Sequence, residues 1–255
     1  MSERIQVSVS GRVQSIRINR PERKNALDID MYAALTRAVR DAGASSDIRA
    51  TFITGVGDSF CSGNDIEDFL KRPPTDESSP VAQFVEALIG AEKPIVAAVN
   101  GHAVGICTTM LLHCDLVYAA DSARCQTPFV NIGLCPEAGS SFLLPLLVSR
   151  RRAAEMLYLG KVLSAAEAAG SGLVNAVVPA SRLEAEALKA AATIAAQPPQ
   201  SVRTTKRLLR DALLAAVTAA SVREMQSFLP LLKGPEAKEA LSAFMEKRAP
   251  DFSRF

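Results

Sequence analysis

The sequence predicts an α/β chain in which strand and helix units repeat over residues 1–195 and an all-helical region fills 196–255. Three observations predict it. Short apolar or alternating runs, such as Ala50 to Thr54 and Ile95 to Val99, recur between helix-length segments. The stretch from Lys93 to Ala119 holds two apolar strand runs joined through Asn100-Gly101 and an uncharged helical run to Cys114. That stretch must be buried on several sides, because a surface helix would carry a charged stripe. From Ser181 onward the chain reads as helix after helix, roughly 182–196, 199–212, 214–230 and 235–247, broken at Pro198-Pro199 and Gly234-Pro235.

Taken in order, Ile5 to Val9 and Val13 to Ile18 alternate apolar and polar residues around Gly11, a hairpin pattern. Asp28 is suited to cap a helix from Ile29 to about Ala42, with Gly43 ending it. The buried strand Ala50 to Thr54 runs into a glycine-rich loop, Gly55 to Asp65, and a helical turn from Ile66 to Lys71. Lys71 to Pro80, with its prolines and small polar residues, reads as a surface loop, and Val81 to Gly90 as a helix. In the central stretch the helix starts near Gly105-Ile106, where its first N–H groups lack intrahelical partners and favour negative charge. Beyond it come a strand over Ala123 to Thr127, a loop to Ser141, helices over Ser140 to Val148 and Arg150 to Leu159, and Gly160 as a stop. Ser164-Ala165-Ala166-Glu167 matches a capping box, and Leu173 to Val178 a last strand.

Composition excludes several classes. The 255 residues are 48% hydrophobic and 22% charged, with 29 basic and 27 acidic side chains mixed along the chain, so no basic tract offers itself to nucleic acid. Met1-Ser2-Glu3-Arg4-Ile5 lacks the apolar run of a leader, and no window approaches a membrane span. The cysteines Cys61, Cys107, Cys114, Cys125 and Cys135 are odd in number and contain no C-x-x-C, so no disulfide framework and a reducing, cytoplasmic compartment are expected. His102 and His113 are read as buried core residues, and no metal site is expected.

The motifs Asn19-Arg20-Pro21, Lys24-Asn25-Ala26-Leu27, Phe60-Cys61-Ser62-Gly63-Asn64-Asp65, Ala97-Ala98-Val99-Asn100-Gly101, Val104-Gly105, Cys114-Asp115 and Gly133 to Gly139 lie in one order along the chain. In that order the chain resembles the crotonase (enoyl-CoA hydratase/isomerase) superfamily over nearly its whole length. Within it, Ser62 to Asp65, Ala103 to Ile106, Thr127-Pro128-Phe129 and Pro136 to Ser141 are most similar to Δ3,Δ2-enoyl-CoA isomerases of the peroxisomal type. The resemblance implies a spiral of ββα turns with a C-terminal helical region that drives trimer formation. It implies an acyl-CoA substrate, no separate cofactor, and a homotrimer or dimer of trimers. It also implies a thioester oxygen held by the backbone N–H groups of Asn64 and Ile106, with Gly63 and Gly105 allowing the close approach.

In hydratases of this superfamily two glutamates activate water, and the resemblance puts Thr109 and Phe129 at those positions. A phenyl ring carries no proton, and a threonine hydroxyl is a poor base. The acid that remains is Glu137, which stands at the position of the isomerases' catalytic glutamate. It lies among Phe129, Val130, Ile132, Leu134 and Phe142, where desolvation raises a carboxyl pKa. Arg23, Lys24, Ala26, Ser62, Asp65, Ile66, Phe129 and Leu134 complete the implied substrate-binding set, with Arg23 and Lys24 near the coenzyme A phosphates and Phe69 and Phe84 near the acyl tail. Asp65 reads first as a helix cap and Asp115 as a structural residue. Ser140-Ser141 lacks a histidine in a matching motif, so a serine hydrolase is not expected. Ser253-Arg254-Phe255 resembles a peroxisomal address but ends in phenylalanine, and is read as chance. Two other readings stand beside the isomerase: another crotonase chemistry, such as a weak hydratase, thioester hydrolase or dehalogenase, and an acyl-CoA-binding subunit without turnover.

Overall fold

A computed structural model describes residues 3–255; Met1 and Ser2, part of the stretch read as lacking a leader, lie outside the described residues. The alternating segments around Gly11 form the hairpin β1 (Ile5–Ser10) and β2 (Val13–Ile18), paired antiparallel with Ile5 opposite Ile18. The apolar runs become β3 (Ala50–Gly55) and β4 (Ile95–Val99), followed by a short strand β5 (His102–Val104) and then β6 (Leu116–Ala120). Three short strands complete the set: β7 (Arg124–Gln126), β8 (Leu163–Ser164) and β9 (Ala176–Val178).

These strands make two sheets. The larger runs β1-β2-β3-β4-β6-β9, parallel from β2 onward, and the smaller runs β5-β7-β8. The chain therefore steps from the large sheet to the small one and back, which is the winding of a ββα spiral. Alternation along each strand divides the core: Ile53, Ala97 and Val99 face one hydrophobic cluster, and Phe52, Val96 and Ala98 the other.

The helices cover both faces. On the first cluster lies α1 (Ile29–Ala44), whose start is capped by Asp28 accepting the Met31 N–H. It runs through Gly43. Next come α2 (Ile66–Lys71), α3 (Pro80–Ile89) and α4 (Ile106–Thr109), the last passing into a 3₁₀ turn over Met110–His113. Then follow α5 (Ser140–Val148), α6 (Arg150–Leu159), closed by left-handed Gly160, and α7 (Ala165–Ser171), which carries the expected capping box. The other face is covered by α8 (Ala180–Ala196), where Leu183, Ala187, Ala191 and Ala195 form a buried stripe of mostly small side chains one turn apart.

Several sequence expectations need correction. The helices expected over 199–212 and 214–230 are one 35-residue helix, α9 (Pro199–Lys233), because nothing between Gln200 and Leu229 breaks the ladder and Pro230 falls near its end. After it comes α10 (Pro235–Met245). His102-Ala103-Val104, for which the sequence pattern predicts no strand, is β5, and the last strand keeps only Ala176–Val178 of the expected 173–178. His102 is exposed rather than buried. Cys61 and Cys107 are joined as a disulfide where none was expected, because the loop after β3 folds back beside the start of α4. Among the described residues no helix is long and apolar enough to cross a membrane.

Candidate active site

The loop after β3 is stitched in from two sides. Leu27 donates to the Gly63 carbonyl and accepts from Asp65 N, each at 2.8 Å, while Cys61 N reaches the His102 carbonyl at 2.9 Å and Val104 N the Cys61 carbonyl at 3.1 Å. Gly63 lies at φ +95°, which strains any other residue, and a Cβ there would sit 3.1 Å from the Val104 carbonyl oxygen, a tight approach that a side chain could make only if the loop or β5 gave by a few tenths of an ångström. These bonds leave the Asn64 N–H turned away, with no acceptor in the protein among the described residues. The Asn64 side chain is held from the core side, where the buried Tyr32 hydroxyl donates to its Oδ1 at 2.5 Å.

Gly105 supplies the second amide. It takes φ 58° and ψ −125° before α4, a backbone open to glycine, and its own N–H is fixed to the Gln126 carbonyl at 2.9 Å. The N–H of Ile106 that follows is the first of the helix and finds no protein acceptor among the described residues. Asn64 and Ile106 both line the same cavity of about 840 Å³.

Glu137 lines that cavity from a tight turn in which Ala138 (φ 59°) and Gly139 (φ 70°) are both left-handed. The turn is pinned by His113 Nε2, which donates to the Ala138 carbonyl at 2.8 Å. From α9, Glu224 accepts Gly139 N at 2.6 Å and Ser141 N at 2.7 Å. On the carboxyl itself, the Thr109 hydroxyl donates to Oε1 at 2.5 Å. Burial pushes the Glu137 pKa up to about 8; the Thr109 hydrogen bond works against that rise, and the Glu224 charge adds to it. Burial, helped by the Glu137 charge, also raises Tyr32, which keeps its phenol proton for Asn64. Two residues with free amides and, in the same cavity, a carboxyl that burial raises to about 8 can polarise a carbonyl and move hydrogen on the adjoining carbons.

Of the residues expected at the site, Arg23, Ala26, Ser62, Gly63, Asn64, Asp65, Ile66, Gly105, Ile106, Phe129, Leu134 and Glu137 all line this cavity. Lys24 does not: it closes the 21–23 turn in a left-handed conformation, its carbonyl takes the Ser62 N–H at 3.0 Å, and it is exposed. Phe69 lines the cavity, whereas Phe84 packs behind it against Tyr32, ring centres 5.7 Å apart. Asp65 caps α2 through Glu67 N and Asp68 N and pairs with Arg20 at 2.7 Å. Asp115 is structural, accepting Ile95 N at 2.7 Å and Lys206 Nζ at 2.8 Å.

Sequence reasoning missed the far wall. Val81 and Val85 of α3, Met225 and Phe228 of α9, and Leu241, Phe244 and Met245 of α10 line the cavity, yet along the chain they read as ordinary apolar helix positions. Tyr32 gave no signal either, since its partner is 32 residues away.

Comparison with known proteins fits this architecture. Residues 8–254 match the family model described as "Enoyl-CoA hydratase/isomerase". A rat protein named enoyl-CoA delta isomerase 2 is 36% identical over 253 residues, covering 97% of this chain, and the chain spans only 64% of that relative. An Escherichia coli protein named 2,3-dehydroadipyl-CoA hydratase is 32% identical, with 99% of both covered. The crystal structure of an enoyl-CoA hydratase/isomerase from Pseudoalteromonas atlantica superposes with a TM-score of 0.95 at 44% identity, over 98% of this chain and 100% of that one. With the family model spanning both amide donors and Glu137, the chain belongs to the enoyl-CoA hydratase/isomerase family.

Proposed function

We propose that the chain is a Δ3,Δ2-enoyl-CoA isomerase that converts 3-enoyl-CoA to trans-2-enoyl-CoA in fatty acid degradation. The observation that carries this reading is Glu137, raised to about 8 and lining the same cavity as the unpaired amides of Asn64 and Ile106. With the thioester oxygen between the two amides, Glu137 as carboxylate takes a proton from C2. The C2 electron pair delocalises onto the thioester oxygen through C1 and onto C4 through the C3–C4 double bond, and the dienolate charge is held by the amides. The same carboxyl returns the proton at C4, so the step balances without a co-reactant. Removal of one such donor typically costs about 2.7–4 kcal/mol of transition-state stabilisation.

Hydration is the second reading, favoured by the hydratase named among the relatives. Against it, Phe129 has no proton to transfer, and the Thr109 hydroxyl is committed to Glu137. A homotrimer or dimer of trimers belongs to the isomerase reading. It is supported by exposed Leu146, Tyr158 and Leu159 on α5 and α6 and by Leu208 and Leu209 on α9, and light scattering tests it.

The deciding experiment incubates the protein with 3-hexenoyl-CoA and, separately, with crotonyl-CoA. Conjugated product from the first is expected, lost in Glu137→Gln while acyl-CoA still binds. 3-Hydroxyacyl product from the second would favour hydratase, and binding without turnover an acyl-CoA-binding subunit. Near-native turnover by Glu137→Gln would remove Glu137 from the mechanism.

A further inference from the structure

The 136–141 turn is held against the helical region by Val217 and Glu224 of α9. Gly139 has no side chain, and a Cβ there would lie 2.9 Å from Val217 Cγ1, so α9 lies directly against the turn. About two helical turns further along α9, Glu224 is buried and commits both carboxylate oxygens to the turn, Oε2 to Gly139 N and Oε1 to Ser141 N. Those N–H bonds at the start of a helix favour the charged carboxylate, while burial is the larger effect and leaves the Glu224 pKa raised. Glu137, just ahead of Gly139, is thus aimed by a residue that lies 85 positions beyond that glycine.

We propose that Glu224, contributed by the helical region, is a positioning residue for the reaction: it clamps the turn that aims Glu137 and places a negative charge behind it. This rests on Glu137 being the acid-base group. The other groups around Glu137 are Thr109 from α4, which does not titrate, Tyr32 from α1, His113 from the 3₁₀ turn and Cys135 from the same loop. Burial pulls His113 down to about 4 and raises Tyr32 and Cys135, so these three are uncharged near neutral pH. Arg223, beside Glu224, partly offsets its charge. Glu224 therefore supplies the negative charge felt by Glu137, in addition to its mechanical hold.

The test is the pH dependence of isomerisation in wild type, Glu224→Gln and Glu137→Gln. A glutamine side chain in place of Glu224 is neutral and cannot accept with both terminal atoms, so kcat is expected to fall by roughly tenfold or more with little change in KM. The acid limb of kcat/KM should move to lower pH, because Glu137 loses a repelling neighbour and ionises more readily. A Glu224→Gln enzyme with wild-type kcat and an unmoved limb, alongside an inactive Glu137→Gln, overturns the proposal and leaves Glu137 in place. An active Glu137→Gln instead overturns the reading beneath it. Should Glu224→Gln fail to fold, Glu224→Asp decides: it keeps a carboxyl but is too short to hold both N–H groups, so kcat is expected to fall with little change in KM, and a wild-type kcat overturns the proposal.

Discussion

The hydroxyl of Thr109 donates to Oε1 of Glu137 at 2.5 Å. The residue that stands where the family resemblance places a hydratase glutamate therefore serves the remaining acid. Because a hydrogen bond to the carboxylate favours the charged form, Thr109 holds the Glu137 pKa below the value burial alone would set. Thr109→Val, equal in size and without the hydroxyl, is expected to move the acid limb of kcat/KM to higher pH and to lower its plateau by about tenfold, the worth of one charge-assisted hydrogen bond. Thr109→Ser should restore most of both. A Val variant with the wild-type profile would detach Thr109 from catalysis.

Glu137 also makes folding stability depend on pH. A carboxyl at 4.5 in the unfolded chain and about 8 in the folded one favours the folded state only while it is protonated in both. Its ionisation in the unfolded chain costs stability progressively as pH rises from 4.5, and the loss is complete above about 8. Thermal unfolding of Glu137→Gln should therefore match wild type below pH 4.5 and show a rising advantage up to about pH 8. Parallel melting curves at all pH values would contradict the raised pKa.

Gly63→Ala tests the amide geometry without touching a side chain of the site. At φ +95°, with a Cβ 3.1 Å from the Val104 carbonyl oxygen, alanine strains the loop and is expected to shift it against β5 and reorient the Asn64 N–H. The expected loss is about 10²-fold in kcat, at a stability cost of about 1–3 kcal/mol in denaturant titration. Unchanged kcat would mean that the Asn64 amide does not act on the substrate.

Phe129→Glu combined with Thr109→Glu restores the two carboxyls of the hydratase pattern. It is nevertheless expected to give no efficient hydration of crotonyl-CoA, since water must also be placed and Glu137 would lose its hydroxyl donor. Rates near those of native hydratases would show that the two side chains suffice.

How far the sequence can be read follows from how far each interaction reaches along the chain. The hairpin around Gly11, the Asp28 and Ser164 caps and the end of α6 at Gly160 are set by residues within a few positions, and each stands where the pattern puts it. Glycines at 63 and 105 flag both free amides because backbone conformation is written locally. The hold of Glu224 on Gly139, the Tyr32 bond to Asn64 and the meeting of Cys61 with Cys107 join distant positions, so no periodicity announces them. The sequence pattern divides α9 in two because its middle gives no uniform apolar stripe, and only its packing on the turn and beside α10 shows one rod.

In the proposed reaction the two groups that grip the carbonyl belong to the peptide chain itself, one beside each of two sheets. On that reading, drift in the amino acids at 64 and 106 leaves the grip intact, while exchanges at 109, 129 and 137 rewrite what happens to the gripped molecule. A lineage built this way can change its chemistry in a few substitutions and keep its handle, so overall likeness between its members is a poor guide to which reaction each performs.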